Sequence, residues 1–456
     1  MKLIYGIKDR PKVGQTIIFA IQQLLAIMAA TLVVPVIINS SGSMPEGAPA
    51  MSSAAALFGA GIGTLVYLLF TRFKSPVFLG SSFAFIGSMC AAFAGAVSAQ
   101  VGYMGLIIGA AFAGLVYVII AVAVKFAGVK WIAKLMPTVV IGPTVAIIGL
   151  SLAGNAIGDL QTAPAGGSSY VAIICGLVTL AVTMLCATFG KKMIRLIPFI
   201  MGILSGYAVA AIFTVIGKFA GIPALMVTNF DPLINLFTNF GVESIVSLPD
   251  FTFLEAFKGI KDLDGAYIGT IAVAYIPVAF VVFAEHIADH KNLSTIIEHD
   301  LLEEPGLHNT LLGDGVGSMA GALFGGCPNT TYGESVGCVA ITGNASVITI
   351  LYTAIMAIAI SFLSPFVAFV NTIPSCVMGG VCMALYGFIA VSGLKMIQKV
   401  DLEKNRNLFV VSVILIAGIG GLSVSFGKVN LTTIACALIL GILTNLMLGV
   451  KDGKEE

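Results

Sequence analysis

Apolar windows of roughly twenty residues, about the length of α-helix needed to cross ~30 Å of hydrocarbon, recur along nearly the whole chain. They fall near 14–39, 51–71, 75–98, 101–127, 131–153, 169–190, 194–217, 265–290, 308–326, 327–343, 345–371, 373–394, 405–423 and 429–450. Fourteen such windows predict an all-α polytopic membrane protein with fourteen transmembrane segments. Two windows read poorly as helices. SPVFLGSSFAFIGSMC (75–90) and GGCPNTTYGESVGCVAITG (325–343) are crowded with Gly, Pro, Ser, Thr and Asn. Irregular backbone at membrane depth is tolerated only where protein buries it or a cavity needs it. These are the third and tenth windows, seven apart, and interrupted segments at matching places in two halves point to a transporter's binding site.

A weak internal repeat has the same spacing. Pro137-Thr138-Val139-Val140-Ile141-Gly142 and Pro374-Ser375-Cys376-Val377-Met378-Gly379 both fit P-x-x-V-[IM]-G. An odd number of spans per repeat inverts the second copy relative to the first, which predicts two inverted repeats of seven segments.

Composition narrows the class. Of 456 residues, 58% are hydrophobic and 10% charged, against about 25% charged in soluble domains, which excludes a soluble globular protein. The 23 Lys+Arg and 22 Asp+Glu nearly cancel, so no basic field invites nucleic acid. With the N-terminus inside, nineteen of the 23 basic residues are cytoplasmic and only Lys218, Lys258, Lys261 and Lys428 lie outside. Loop Lys/Arg bias sets orientation; the split predicts an even span count, cytoplasmic termini and a place in the cell (inner) membrane. The run from Val13 to Asn39 exceeds a signal-peptide core and reads as a retained first helix. Eight cysteines, without C-x-x-C spacing, read as small packing residues.

Against this background three acids stand out: Glu285 and Asp289 in the eighth window and Glu334 in the tenth. An ionisable group at the bilayer centre costs about 2.5–3.5 kcal/mol on insertion scales, which makes it a functional candidate by default. Glu285 and Asp289 are i,i+4 and share a helix face. No Lys or Arg is placed to neutralise them, and crowded acids in low-dielectric surroundings favour holding a proton, as a proton-coupled carrier requires. Asp289 and His290 also fit hydrated groups at the cytoplasmic end of their helix. Glu334 also fits a cap on a half-helix N-terminus.

The four histidines, His286, His290, His299 and His308, fall within 23 residues. H-I-A-D-H lacks the Glu of a zinc H-E-x-x-H and has no spaced third ligand, so no metal or cofactor is predicted. Gly313-Asp314-Gly315-Val316-Gly317 lacks the preceding strand and the G-K-[ST] of a phosphate loop and reads as close helix packing. Hydrolysis by Glu285, Asp289 and His286 would need a nucleophile or metal set that the chain does not present, so no enzyme is predicted.

Gly80-Ser81-Ser82-Phe83-Ala84-Phe85, Ala284-Glu285-His286, Glu304-Pro305-Gly306-Leu307-His308 and above all Pro328-Asn329-Thr330-Thr331-Tyr332-Gly333-Glu334 together resemble the nucleobase-ascorbate transporter (nucleobase:cation symporter-2) family, in its bacterial uracil-permease branch, over nearly the whole chain. The resemblance implies proton-coupled uracil uptake by elevator-like movement, and two inverted seven-segment repeats whose third and tenth segments break into a short extended strand plus a half-helix. It implies a core domain (1–128 and 265–371), a gate domain (129–220 and 372–450) through which a homodimer forms, an extracellular connection (221–264) and a cytoplasmic tail (451–456). Carried over by position, Glu285 and Glu334 hydrogen-bond the base, the backbone amides of Phe83 and Gly333 meet its carbonyls, and Phe83 and Tyr332 flank its ring. Asp289, Glu285 and His286 take the proton-coupling role.

Uracil offers two N–H donors and two carbonyl acceptors, which suits paired carboxylates with helix N-terminal amides. The chain departs from the family pattern at Gln23, where members often have His, at Asp289, where uracil permeases can have His, and at Ser335 and Gly343, where the signature usually has Asn and often a basic residue. Glu rather than Gln at 334 favours uracil over xanthine or urate. The alternatives are a purine:proton symporter of the same family and, with a related fold, an inorganic-anion exchanger.

Overall fold

Helix accounts for 76% of the computed structural model, which describes residues 3–128, 137–191, 193–238, 240–426 and 429–449. Lys2, Lys130, Lys134, Lys192, Lys428 and the tail 451–456, which enter the orientation argument or the domain division, lie outside the described residues. Among the described residues, eight helices are long and apolar enough to cross a membrane, and further apolar helices of 10–17 residues lie at 83–94, 347–361, 405–419 and 433–449.

The chain begins with α1 (Val13–Ser40) and α2 (Ser53–Phe70), then a three-residue strand β1 (Leu79–Ser81), a 3₁₀ turn at Phe83–Phe85, α3 (Ile86–Ala94) and α4 (Ala99–Ala127). Next come α5 (Thr138–Ser151), α6 (Ala153–Gln161), α7 (Ser169–Phe189) and α8 (Pro198–Ala220). After short helical turns across 223–262 follow α9 (Gly265–Ile297), α10 (Leu307–Gly325), a second strand β2 (Asn329–Thr331), α11 (Gly333–Thr342), α12 (Val347–Ser361) and α13 (Ser364–Asn371). The chain closes with α14 (Ser375–Ile397), α15 (Asn405–Ile419), a hairpin of β3 (Val424–Phe426) with β4 (Val429–Leu431), and α16 (Thr433–Gly449).

Helix starts follow local chemistry. Ser52, Ser98 and Asp264 accept from the backbone N–H groups of Ala55, Val101 and Tyr267, capping α2, α4 and α9. Three boundaries differ from the hydropathy windows. In the eighth window α9 runs on to Ile297, two turns past His290, because the sequence after Asp289 continues to pack on the bundle through His290, Leu293 and Ile297. The fifth window steps at Leu152 and continues as α6. The eleventh divides at Leu363, whose extended backbone precedes a proline in the first turn of α13.

Two groups of helices pack mainly among themselves. In one, α10 lies against α2 and α4, α9 against α4, and α12 against α1 and α2; in the other, α14 lies against α5, α6 and α7, α7 against α8, and α15 against α5 and α16. Small residues permit these approaches. Gly315 abuts Gly114 and Tyr117, and Gly317 meets the carbonyl of Gly63, so the Gly313–Gly317 run serves helix contact, as its composition suggests. In the second group Gly142 meets Ile397 and Gly149 meets Tyr386 and Ala390. Thus α5 and α14, whose first turns carry the repeated P-x-x-V-[IM]-G, run antiparallel face to face. Pro137 and Pro374 sit at the N-caps of these two helices, where a missing N–H costs no hydrogen bond.

Candidate functional site

The irregular windows meet inside the bundle. β1 pairs antiparallel with β2, Leu79 opposite Thr331 and Ser81 opposite Asn329, and Ser82 N–H donates to the Pro328 carbonyl at 2.9 Å. A helix could not satisfy these groups through so many Gly, Ser and Thr residues; pairing the two short strands does so internally. Gly80 is required here because the ring of Tyr332 occupies the space a side chain would fill. The Tyr332 hydroxyl donates to the Ser81 carbonyl at 2.8 Å and lies 3.4 Å from Thr31 Oγ1. Asn329 Nδ2 donates to the Gly59 carbonyl at 3.0 Å, anchoring the crossing to α2.

From this crossing the 3₁₀ turn at Phe83 and α11 at Gly333 lead away, each starting with backbone N–H groups that lack helical partners. They border a cavity of about 230 Å³. An apolar cavity of ~150 Å³ can hold a benzene ring, so this one takes a single ring with polar substituents. One wall is polar: Ser82, Phe83, Glu285, Asp289, Thr330, Thr331, Gly333 and Glu334. The other, from α5 and α14, is Val145, Ile148, Leu385, Phe388, Ile389, Ser392 and Met396. The site therefore lies between the two helix groups. Thr331 Oγ1 donates to Asp289 Oδ2 at 2.7 Å. Ser82 and Thr330 line the polar wall, and their hydroxyl oxygens are buried without a protein partner.

The opposite face of α9 is fastened down. His286 is completely buried, with Nδ1 2.7 Å from Asp314 Oδ2 and Nε2 3.0 Å from Thr310 Oγ1. His290, equally buried, has Nδ1 2.8 Å from the His286 carbonyl and Nε2 2.7 Å from the Tyr67 hydroxyl, which also meets Ser75 Oγ at 2.7 Å. The two imidazoles stack with centroids 4.0 Å apart. This places His290 in the protein interior, not among hydrated groups at a helix end. The i,i+4 rows of α9 thus divide the labour, Glu285 and Asp289 toward the cavity and His286 and His290 toward α10 and α2.

Glu285, Asp289, Glu334, Phe83, Gly333 and Tyr332 all border the cavity, whereas His286 does not. Tyr332 reaches the wall while its ring packs on Gly80, and the rings of Phe83 and Phe388 also belong to lining residues. Sequence reasoning overlooked Asp314, which lies in a glycine-rich packing run, and Asp159 on α6, which is buried and accepts from Ser40 Oγ. An acid in an apolar stretch was the available signal for Asp314. Gln23 and Ser335, both departures from the family pattern, touch each other. Gln23 Nε2 donates to Ser335 Oγ at 2.5 Å, and the same oxygen accepts from Phe78 N–H at 3.2 Å. Outside the bundle, the Lys74 ammonium 2.7 Å from Glu304 holds that carboxyl below its usual range.

A bundle of apolar helices, split into two packing groups with a cavity of paired carboxylates and broken-helix backbone between them, defines a multi-pass membrane carrier. A family model, Xan_ur_permease, described as Permease family, matches residues 14–427. The uracil permease of Bacillus caldolyticus is 38% identical over 450 residues, 98% of this chain and 95% of that protein. The uracil permease of Escherichia coli (strain K12) is 34% identical over 446 residues, 97% and 93% respectively. The chain belongs to this permease family, and its members are transporters, not enzymes. Among solved structures, the transmembrane domain of the cyanobacterial bicarbonate transporter BicA aligns with a TM-score of 0.59 at 15% identity, covering 97% of this chain and 100% of that one. The murine anion transporter Slc26a9 in its inward-facing state gives 0.61 at 13%, covering 98% and 69%. At such identities the likeness is one of fold alone.

Proposed function

We propose that this protein carries uracil across the membrane together with a proton. The observation that carries this reading is the meeting of Glu285, Asp289 and Glu334 with the helix-starting residues Phe83 and Gly333 around a cavity sized for one ring. Carboxylates take the two N–H donors of the base and helix N-terminal amides take its carbonyls. Ser82 and Thr330 complete the polar wall. The names of the relatives, uracil permeases over nearly their full length, point to the same solute.

The finer parts of the reading rest on the same geometry. Fourteen segments in two inverted repeats agree with the antiparallel pairs β1/β2 and α5/α14. The division into a core (1–128 and 265–371) and a gate (129–220 and 372–450), joined by 221–264, follows the two packing groups, with the site at their seam. Elevator-like sliding of the core along the gate would carry the site between membrane faces, and the gate would pair two protomers. Asp289, held by Thr331, and Glu285 take and release the proton; His286 acts on them through the orientation of α9. The termini are assigned to the cytoplasm of the cell membrane on the Lys/Arg bias.

An inorganic-anion exchanger is the second reading, favoured by the fold of BicA and Slc26a9. Such a carrier needs positive charge at its site, and no Lys, Arg or His lines this cavity among the described residues. Uptake of labelled uracil into proteoliposomes under an imposed inward proton gradient, abolished by a protonophore, tests the proposal. Uptake of xanthine or urate in place of uracil moves the assignment to purines, and sulfate or bicarbonate flux moves it to anions.

A further inference from the structure

A second cavity lies along the same seam, toward the opposite end of the helices. It encloses about 600 Å³ where α1, α3 and α5 end and α9 and α16 begin, and its rim includes Ser41, Ser43, Cys90, Ser151, Thr270 and Thr433. The two cavities nearly touch. Ala84 lines the central one and Ile86 the second; Ile148 lines the central one and Ser151 the second. Three residues of α5 span roughly 4.5 Å at 1.5 Å per residue, so a single apolar layer separates them. That layer contains Phe85, Ile86 and Ile148, each at most 2% exposed, and Ile434, whose Cδ1 lies against Gly87 across the seam.

The lining of the second cavity selects by chemistry. Among the described residues it contains hydroxyls and an amide but no Asp, Glu, Lys, Arg or His. Ser151 Oγ donates to the Ile148 carbonyl at 3.0 Å, whereas Ser41 Oγ is engaged on both sides, 2.8 Å from the Ile38 carbonyl and from Ser43 Oγ and accepting from Ser43 N–H at 3.3 Å. With its proton committed to a helix carbonyl, Ser151 Oγ presents lone pairs, which suit N–H donors. A wide, uncharged chamber lined by hydroxyls and an amide gives an ion no counter-charge to replace its hydration and gives a small neutral solute with N–H groups weak polar partners.

We propose that this chamber is a second, weaker binding site, an access vestibule for small neutral solutes bearing N–H donors, closed from the central cavity by the Phe85–Ile86–Ile148–Ile434 layer. The solute class rests on the transport reading above; the vestibule and its plug rest on the geometry.

The test is cysteine accessibility in right-side-out and inside-out vesicles, with a membrane-impermeant maleimide on Cys90→Ser protein carrying either Thr433→Cys or Ser392→Cys. Thr433→Cys is expected to react from one face and Ser392→Cys, which lines the central cavity, from the other. Excess uracil should slow the Thr433→Cys reaction at least threefold, with half-protection at a higher concentration than Ser392→Cys requires. Acetate, a small anion, should give no protection at Thr433→Cys. In a third variant, Ile148→Gly is expected to make Ser392→Cys reactive from both faces. Reaction of both positions from one face in the unsubstituted plug overturns the closed vestibule. Equal protection by uracil and acetate, or none by uracil while uptake persists, overturns the binding site. Protection at Thr433→Cys by another neutral N–H solute, in protein that fails to take up uracil, sustains the vestibule and removes only the substrate assignment.

Discussion

Glu285→Gln isolates the hydrogen bond that the proposed function depends on most. Glu285 borders the cavity, and its electrostatic neighbours are acids: Asp289, Asp314 and Glu334. Asp289 by contrast already accepts from Thr331. Glutamine keeps the shape and a carbonyl acceptor but removes the charge, so no bond to the described residues is lost and the fold should persist. Hydrogen bonds to charged groups contribute about 1.5–3 kcal/mol. Glutamine's carbonyl can keep a neutral bond of about 0.5–1.5 kcal/mol, so the difference, about 1–1.5 kcal/mol at about 1.4 kcal/mol per tenfold change in affinity, should weaken uracil binding roughly 5- to 12-fold. Removing one of several crowded acids relieves repulsion, so the midpoint of thermal unfolding without solute should stay level or rise. Equilibrium binding of labelled uracil to purified protein, with unfolding followed in parallel, measures both. A dissociation constant within threefold of the unsubstituted protein, in a monodisperse sample, would refute Glu285 as a ligand.

Ser335→Ala should cost about 1–3 kcal/mol of stability because it leaves the Gln23 amide and Phe78 N–H unpaired in the interior. Gln23→Ala added to it should bring little more, since the two share one bond, and additive losses in thermal melts would contradict that link. Gly80→Val forces the Tyr332 ring from its place and should cost about 1–3 kcal/mol by overpacking, with uracil binding lost; Tyr332→Phe, which keeps the ring, should retain binding, and equal loss in both would refute the packing argument. Asp314→Leu strands His286 Nδ1 in the interior and should lower stability by about 1–3 kcal/mol. Asp314→Asn, able to keep one hydrogen bond, should lose less; a reversed order in unfolding experiments would show that the contact does not hold α9.

Much of the site was legible from residue types. Glu285, Asp289 and Glu334 betrayed themselves because a carboxyl in an apolar window is costly, and the broken windows did so because Gly, Pro and Ser cannot sustain a lipid-facing helix. Helical period also placed Glu285 and Asp289 on one face. Asp314 hid in a glycine run whose packing role was real. His290 could not be separated from a hydrated helix end, because hydropathy falls off after Asp289 whether the helix leaves the bundle or continues within it. Tyr332 borders the cavity as expected, but only the antiparallel pairing of Gly80 with Thr330 shows that its ring fills the space over Gly80.

The amino-acid sequence by itself determined that the chain is a membrane protein and which ionisable groups lie within it, because transfer into hydrocarbon depends on local composition and span length. Only the tertiary structure decided which of those groups face the cavity, since Glu285 and His286 are neighbours in sequence and separated by rotation about one helix. It also decided that the Val145 and Leu385 wall faces the Phe83 and Gly333 turns, and that a second, uncharged chamber lies one apolar layer away. Those are matters of packing between helices distant in the chain, set by where small residues let backbones approach, which local pattern does not encode.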